Sequence, residues 1–423
     1  MINKRHMMLA AFAAAGLSVS APALACPAKI GATLSMTGSY STFGIPINNA
    51  AQLAVERLAE AGWKVGDCAK LEYVVRDDQT QPSVGVDAAR RLVDLDGVSA
   101  IVGPISSGVT GPILSSVTVE KNVLMIPAAS SSPTFTEMAR QGKLNGLFFR
   151  VQPSDALQAV AAAKAAIEAG HKKMAVVNLN NDWGNNLSKQ FIATYKALGG
   201  TVTGQVTYNA EQPSYRAEVN KSLEGSPDSL YLAASVIDGS KIMRDWLALG
   251  GPQKFIFPLG LNDQKFIDQI GEQYLKNALF MTPGSPSPNS ATIYREVYEN
   301  RWNSSGVGPG RDSGYDAASL IGLAMLAAKD YKDGKKIAAA LPKVTDPKGE
   351  AITLSPDDLK KAVKLLSEGK TIRYIGATGA MSFDQYGDVS TPFVGWAVEG
   401  GKLVQKKDIS AQDVADTKAK TGT

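Results

Sequence analysis

The chain has 423 residues, of which 44% are hydrophobic and 20% charged, with 44 basic against 40 acidic side chains and only 2 histidines. Near-balanced charge with no stripe of Lys/Arg interleaved with aromatics argues against a nucleic-acid partner. Two histidines leave nothing for a His-containing zinc set or a Cys–His pair, so no metal site and no cofactor is expected, and neither G-x-x-x-x-G-K-[ST] nor G-x-G-x-x-G occurs.

Residues 1–25 read as an export signal rather than as fold. Lys4 and Arg5 supply the positive start, MMLAAFAAAGLSV an apolar stretch too short to span a membrane, and Ala23-Leu24-Ala25 a small-residue cleavage box. Cleavage there leaves Cys26 to Thr423, room for two or three domains at about 150 residues each. A periplasmic location is expected. Cys26 and Cys68 each lie just before a predicted strand. If those strands are parallel neighbours, both thiols sit at one end of a sheet, which favours a structural disulfide over a lipidated Cys26.

From Lys29 onward, short β-branched runs alternate with amphipathic helices. Strands are predicted over 29–35, 71–76, 100–103, 123–127 and 146–151, with helices between them, as in a parallel doubly wound α/β sheet. A second series of the same kind starts at the N-cap residue Ser154, with strands over 173–178, 202–208, 229–234 and 255–259. The remainder, with a strand over 278–282 and apolar helices over 292–302 and 315–330, is expected to return to the first sheet. His171 precedes the 173–178 strand, far from any serine it could serve. The polar tail 407–423 is expected to be mobile.

Serines cluster at the ends of predicted strands. Gly103-Pro104-Ile105-Ser106-Ser107-Gly108 follows a buried strand, Ala128-Ala129-Ser130-Ser131-Ser132 follows the next, and Ser35-Met36-Thr37-Gly38 follows the first. In open α/β sheets, strand carboxyl ends and helix N-termini gather unpaired N–H groups, so three hydroxyl-rich loops on one edge suit a carboxylate or other small polar head group. Capping alone is the plainer reading of Ser106 and Ser107. A serine hydrolase built on Ser107 lacks its base, and P-I-S-S-G lacks the first glycine of a G-x-S-x-G elbow, so no enzyme is expected.

The ordered set LSMTGSYSTFG (34–44), VVRDDQTQP (74–82), AIVGPISSGVT (100–110), IPAASSSPTFT (126–136), NDWGNN (181–186), GYDAA (314–318) and SFDQYGD (382–388) resembles the leucine/isoleucine/valine-type solute-binding proteins of ABC transporters. The resemblance implies a type I periplasmic binding fold: two doubly wound parallel-sheet lobes joined by a three-crossover hinge. Lobe one would comprise 26–149 and 281–384, lobe two 150–280 and 385–406. It implies a monomer that closes on one small solute and delivers it to ABC permease subunits; a ligand-sensing receptor acting on a partner protein is the alternative. Ligand-binding positions carried over are Phe43, Ser106, Ser107, Ala128, Ala129, Ser130 and Trp183. The chain departs from the amino-acid binders at the ammonium site, where Gly260 and Ser235 replace an acid and a tyrosine. Asp263 or Asp238 could substitute for the acid, although each also reads as a helix cap. A carboxylate without an amine, such as an aromatic acid, or an amide would suit this site equally.

Overall fold

A computed structural model describes residues 26–284, 288–306 and 310–422. The expected export signal lies outside them. The first sheet is wholly parallel, in the order β2-β1-β3-β4, from β1 (Ala28–Leu34), β2 (Leu71–Asp77), β3 (Ala100–Gly103) and β4 (Leu124–Pro127). β3 and β4 are buried along their whole length, which is why they read as unbroken apolar runs. Ala28 pairs with Leu71 in register, and this alignment brings Cys26 and Cys68 together at the amino ends of β1 and β2 in a disulfide with Cα atoms 5.3 Å apart. With its sulfur so engaged, Cys26 has none left for a lipid thioether.

The second sheet runs β14-β13-β9-β8-β7-β5-β6. Its parallel part comprises β5 (Lys173–Leu179), β6 (Thr201–Tyr208), β7 (Ser229–Ala233), β8 (Phe255–Phe257) and β9 (Ala278–Pro283). A small separate sheet, β10 (Glu350–Ile352), β11 (Ile372–Gly376) and β12 (Gly379–Ala380), follows in the chain. The chain then adds β13 (Phe393–Glu399) antiparallel to β9, and β14 (Lys402–Ile409) antiparallel to β13.

Three sequence expectations are corrected here. β9 belongs to the second sheet, held between β8 and β13, so the chain leaves that sheet only after Pro283. Of the strand expected over 146–151, only a bridge between Met125 and Phe148 forms. The tail is ordered: its first residues complete β14, and Ala411–Thr421 is a helix with a capping box at Ser410 and Asp413 and with Val414 buried against the second core. Its composition is polar because only one face packs.

Arg311–Ala328 is a helix with fifteen buried positions, packed on the Ser41–Glu60 helix of the first lobe. Asp316 on it is no N-cap. Its carboxylate accepts from Ala377 N, Thr378 N, Thr378 Oγ1 and Tyr374 Oη, each at 2.8 Å, and so anchors the β11–β12 turn. Arg150 and Asp388 tie two chain crossovers together. The fully buried Arg150 donates to Asp388 Oδ1 (2.6 Å), Ser132 O and Thr136 Oγ1 (both 2.8 Å).

Candidate functional site between the lobes

The carboxyl ends of both sheets face one pocket, whose empty space of about 500 Å³ includes open solvent. The first lobe contributes Tyr40, Phe43 and Ile47 from the start of the Ser41–Glu60 helix, Ile105, Ser106 and Ser107 after β3, and Ala129 and Ser131 after β4. The second lobe contributes Trp183 after β5, Ala234 after β7, and Leu259 and Gly260 after β8. Ligand sites at the carboxyl ends of parallel strands follow from where helix N-termini point their unpaired amides. None of the lining residues is charged.

The polar end is built by the Ser107–Ile113 helix. Its N-cap Ser106 makes no side-chain capping hydrogen bond, and the first amide to find a helical acceptor is that of Val109, to Ser106 O at 3.0 Å. Pro112 has no N–H, which leaves the Gly108 carbonyl without its helical donor, and after about two turns the segment gives way to the wider turn at Leu114–Thr118. Ser107 Oγ accepts from Ser132 N at 3.2 Å and donates to no group among the described residues. One hydroxyl and one hydroxyl hydrogen are therefore free of capping duty beside unpaired amides, an arrangement made for an anion.

Phe43, Ser106, Ser107, Ala129 and Trp183 of the anticipated set meet in this pocket. Four others do not line it. Ala128 is buried with its N–H on Gly103 O, and Ser130 is buried with its hydroxyl donating to Pro104 O at 2.8 Å and 2.6 Å from Thr110 Oγ1. Ser235 caps the Val236–Ala248 helix through Asp238 N (3.2 Å), and Asp263 caps Gln264–Ile270 through Lys265 N (2.8 Å). Asp238 is likewise consumed, accepting from Tyr215 Oη (2.6 Å), Glu211 N (3.1 Å) and Ser235 Oγ (3.1 Å). The Ser35–Gly38 loop does not join the other two serine loops: Ser35 donates to Asp78 and Thr37 to Asp77, both at 2.6 Å.

Gly260 carries the departure noted in the sequence. Its φ is +128°, and a Cβ there would lie 2.8 Å from Ala234 O and 3.5 Å from Trp183 Cη2. No acidic side chain can stand at this position without moving the backbone. Tyr40, Ile47, Ile105, Ser131 and Leu259 were not foreseen. Tyr40 and Ile47 lie three before and four after Phe43, one helical turn either way, which is the signal that would have found them. The lobes also meet around the pocket, where Thr134 Oγ1 donates to Asp182 Oδ1 (3.2 Å) and Ser39 Oγ to Glu211 Oε1 (2.7 Å). His171 sits at the amino end of β5, the opposite end from the pocket.

A family model described as periplasmic binding protein matches residues 27–358. Leu/Ile/Val-binding protein BraC3 of Rhizobium johnstonii is 29% identical over 334 residues, covering 77% of this chain and 89% of that protein. Among solved structures, the leucine binding protein LivK from Thermotoga maritima matches with a TM-score of 0.76 at 25% identity, covering 92% of this chain and 100% of its own. A solute binding protein of an ABC transporter from R. palustris, in complex with benzoate, shares the fold with a TM-score of 0.71 at 18% identity, covering 90% and 96%. The first two of these relatives are binding proteins by name, for leucine, isoleucine and valine in one case and for leucine in the other. Fold, site position and sequence agree that the chain belongs to the periplasmic binding protein family.

Proposed function

We propose that this protein is the periplasmic solute-binding component of an ABC importer, capturing a small carboxylate-bearing solute between its lobes and delivering it to a membrane permease. The observation that carries the reading is the pocket itself. Apolar walls from both lobes surround one polar end, where the Ser106 hydroxyl and the hydroxyl hydrogen of Ser107 lie beside amides of the Ser107–Ile113 helix that have no acceptor among the described residues. A carboxylate accepts hydrogen bonds from these donors, and the rest of the solute packs between Phe43 and Trp183. With no charged lining residue, an ammonium finds no counter-ion, which favours aromatic and other amine-free acids over amino acids.

Because the walls come from two lobes, a solute touching both favours the closed arrangement over the open one. Driving such an equilibrium from 1:99 to 99:1 takes about 5.5 kcal/mol of differential binding, within reach of a few charge-assisted hydrogen bonds and an aromatic contact. The test is thermal-shift screening of the protein lacking residues 1–25 against amino acids, aromatic acids, amides and dicarboxylates, followed by uptake into vesicles holding the neighbouring permease. A carboxylate that raises the melting temperature and is taken up only when the protein is present supports the reading; uptake indifferent to the protein refutes delivery.

A further inference from the structure

Ser107 and Ser131 both line the pocket, and Ser132, the residue after Ser131, donates its N–H to Ser107 Oγ at 3.2 Å. Their hydroxyls are committed in opposite senses. Ser107 accepts from the protein, so its hydrogen is left for a guest. Ser131 donates to Asp155 Oδ2 at 2.9 Å, so what its hydroxyl offers a guest is a lone pair.

The second commitment is fixed from the backbone outward. Leu259 N–H donates to Gln158 Oε1 at 2.8 Å, which settles the orientation of that amide and turns its Nε2 to Asp155 Oδ1 at 3.3 Å. Oδ1 must therefore accept, and only Oδ2, facing Ser131, could ever carry a proton. Asp155 is fully buried at the start of the Asp155–Glu168 helix, and its own N–H donates to Ser131 O at 2.8 Å, so the pair is clasped twice.

We propose that the Leu259–Gln158–Asp155–Ser131 relay makes Ser131 an acceptor toward the bound solute, so that the solute is a carboxylate carrying a neutral hydrogen-bond donor on the adjacent carbon, a 2-hydroxy acid, with Asp155 the positioning residue that sets this preference. Ser132 N, 3.2 Å from Ser107 Oγ, is bonded directly to the Ser131 carbonyl carbon, so a group that meets Ser131 while its carboxylate meets Ser107 sits near that carboxylate, not at the far end of the molecule. The donor is neutral because the pocket lining holds no charge to balance a cation. The inference rests on the carboxylate reading above.

The test compares 2-hydroxy-4-methylpentanoate with its 2-oxo analogue, which can only accept, and with leucine, whose ammonium can only donate, by titration calorimetry at pH 8. The native protein should bind the hydroxy acid about tenfold more tightly than the oxo acid, the scale of one hydrogen bond made against one opposed, and more tightly than leucine. In Asp155→Asn the Gln158 amide still claims the carbonyl oxygen, so the new NH2 donates to Ser131 and frees its hydrogen; the oxo acid should gain and the ratio collapse. A purely structural role for Asp155 would weaken both acids alike. Ser131→Ala, the milder change, should abolish the discrimination between the hydroxy and the oxo acid. Lowering the pH should act as Asp155→Asn does, since burial pushes the Asp155 carboxyl up to about 7. The other ionisable groups facing it are Arg150, Asp182, Tyr40 and Tyr231, and burial holds both tyrosines far above this range. A hydroxy/oxo ratio unmoved by Ser131→Ala, or leucine binding more tightly than the hydroxy acid, overturns the proposal. Binding of other carboxylates but of neither 2-substituted acid overturns it alone, whereas a protein that binds no carboxylate takes the carboxylate reading down with it.

Discussion

Replacing Ser107 by alanine separates the two duties of its hydroxyl. Toward the solute, the change deletes one donor to a carboxylate, and a hydrogen bond to a charged group is worth about 1.5–3 kcal/mol, so affinity should fall roughly 10- to 150-fold. Toward the protein, it removes the acceptor of Ser132 N–H, whose residue is fully buried, and an orphaned buried donor costs about 1–3 kcal/mol of stability. Ser106→Ala is the internal control, since the Ser106 side chain makes no capping bond. It should lower affinity with little of the about 1 kcal/mol that loss of a working cap removes. Calorimetry with a carboxylate and with its primary amide, alongside urea unfolding, reads both duties: the Ser107→Ala loss should be smaller for the neutral amide. Equal affinities of native protein and Ser107→Ala for the carboxylate would refute the reasoning.

Gly260→Ala should cost about 1–3 kcal/mol, because its φ of +128° and a Cβ 2.8 Å from Ala234 O strain the loop after β8; it should also weaken ligand binding by shifting the backbone that lines the pocket, and a variant of native stability would contradict this. Arg150→Ala leaves the Asp388 carboxylate, Ser132 O and Thr136 Oγ1 without their shared donor, and should destabilise by about 3–5 kcal/mol in urea unfolding. Stability should also depend on Asp155: its carboxyl rises from the ordinary 3.8 to about 7 on burial, so the fold favours the protonated form. Its contribution is complete below about pH 4 and is lost as the pH rises to about 7. Asp155→Asn should therefore lose less stability than the native chain between pH 4.5 and 7.5, and parallel pH profiles would exclude the effect.

The fold was legible because its local signals agree. β3 and β4 are unbroken apolar runs, the intervening helices are amphipathic, and Cys26 and Cys68 mark the same end of two neighbouring strands. What composition hid was packing. β9 reads like a strand of either sheet until β8 and β13 claim it, and the polar last helix needs only Val414 to dock. At the site, residue type showed where hydroxyls gather but not which way each one turns. Ser107 and Ser131 line the pocket while Ser130, next to Ser131 in its loop, spends its hydroxyl on Pro104 O, and Ser35 and Thr37 spend theirs on Asp78 and Asp77. Asp155 drew no notice in the sequence because Ser131 reaches it from the loop after β4, a meeting that only the folded chain makes, while Gln158 lies one turn along the same helix.

The most direct measurement is a crystal structure of the protein, without residues 1–25, bound to the carboxylate that raises its melting temperature most. The account predicts the carboxylate within hydrogen-bond distance of Ser107 Oγ and the first amides of the Ser107–Ile113 helix, with the remainder between Phe43 and Trp183. A carboxylate turned toward Trp183 and Gly260, or a solute lying outside the pocket between the lobes, would contradict it.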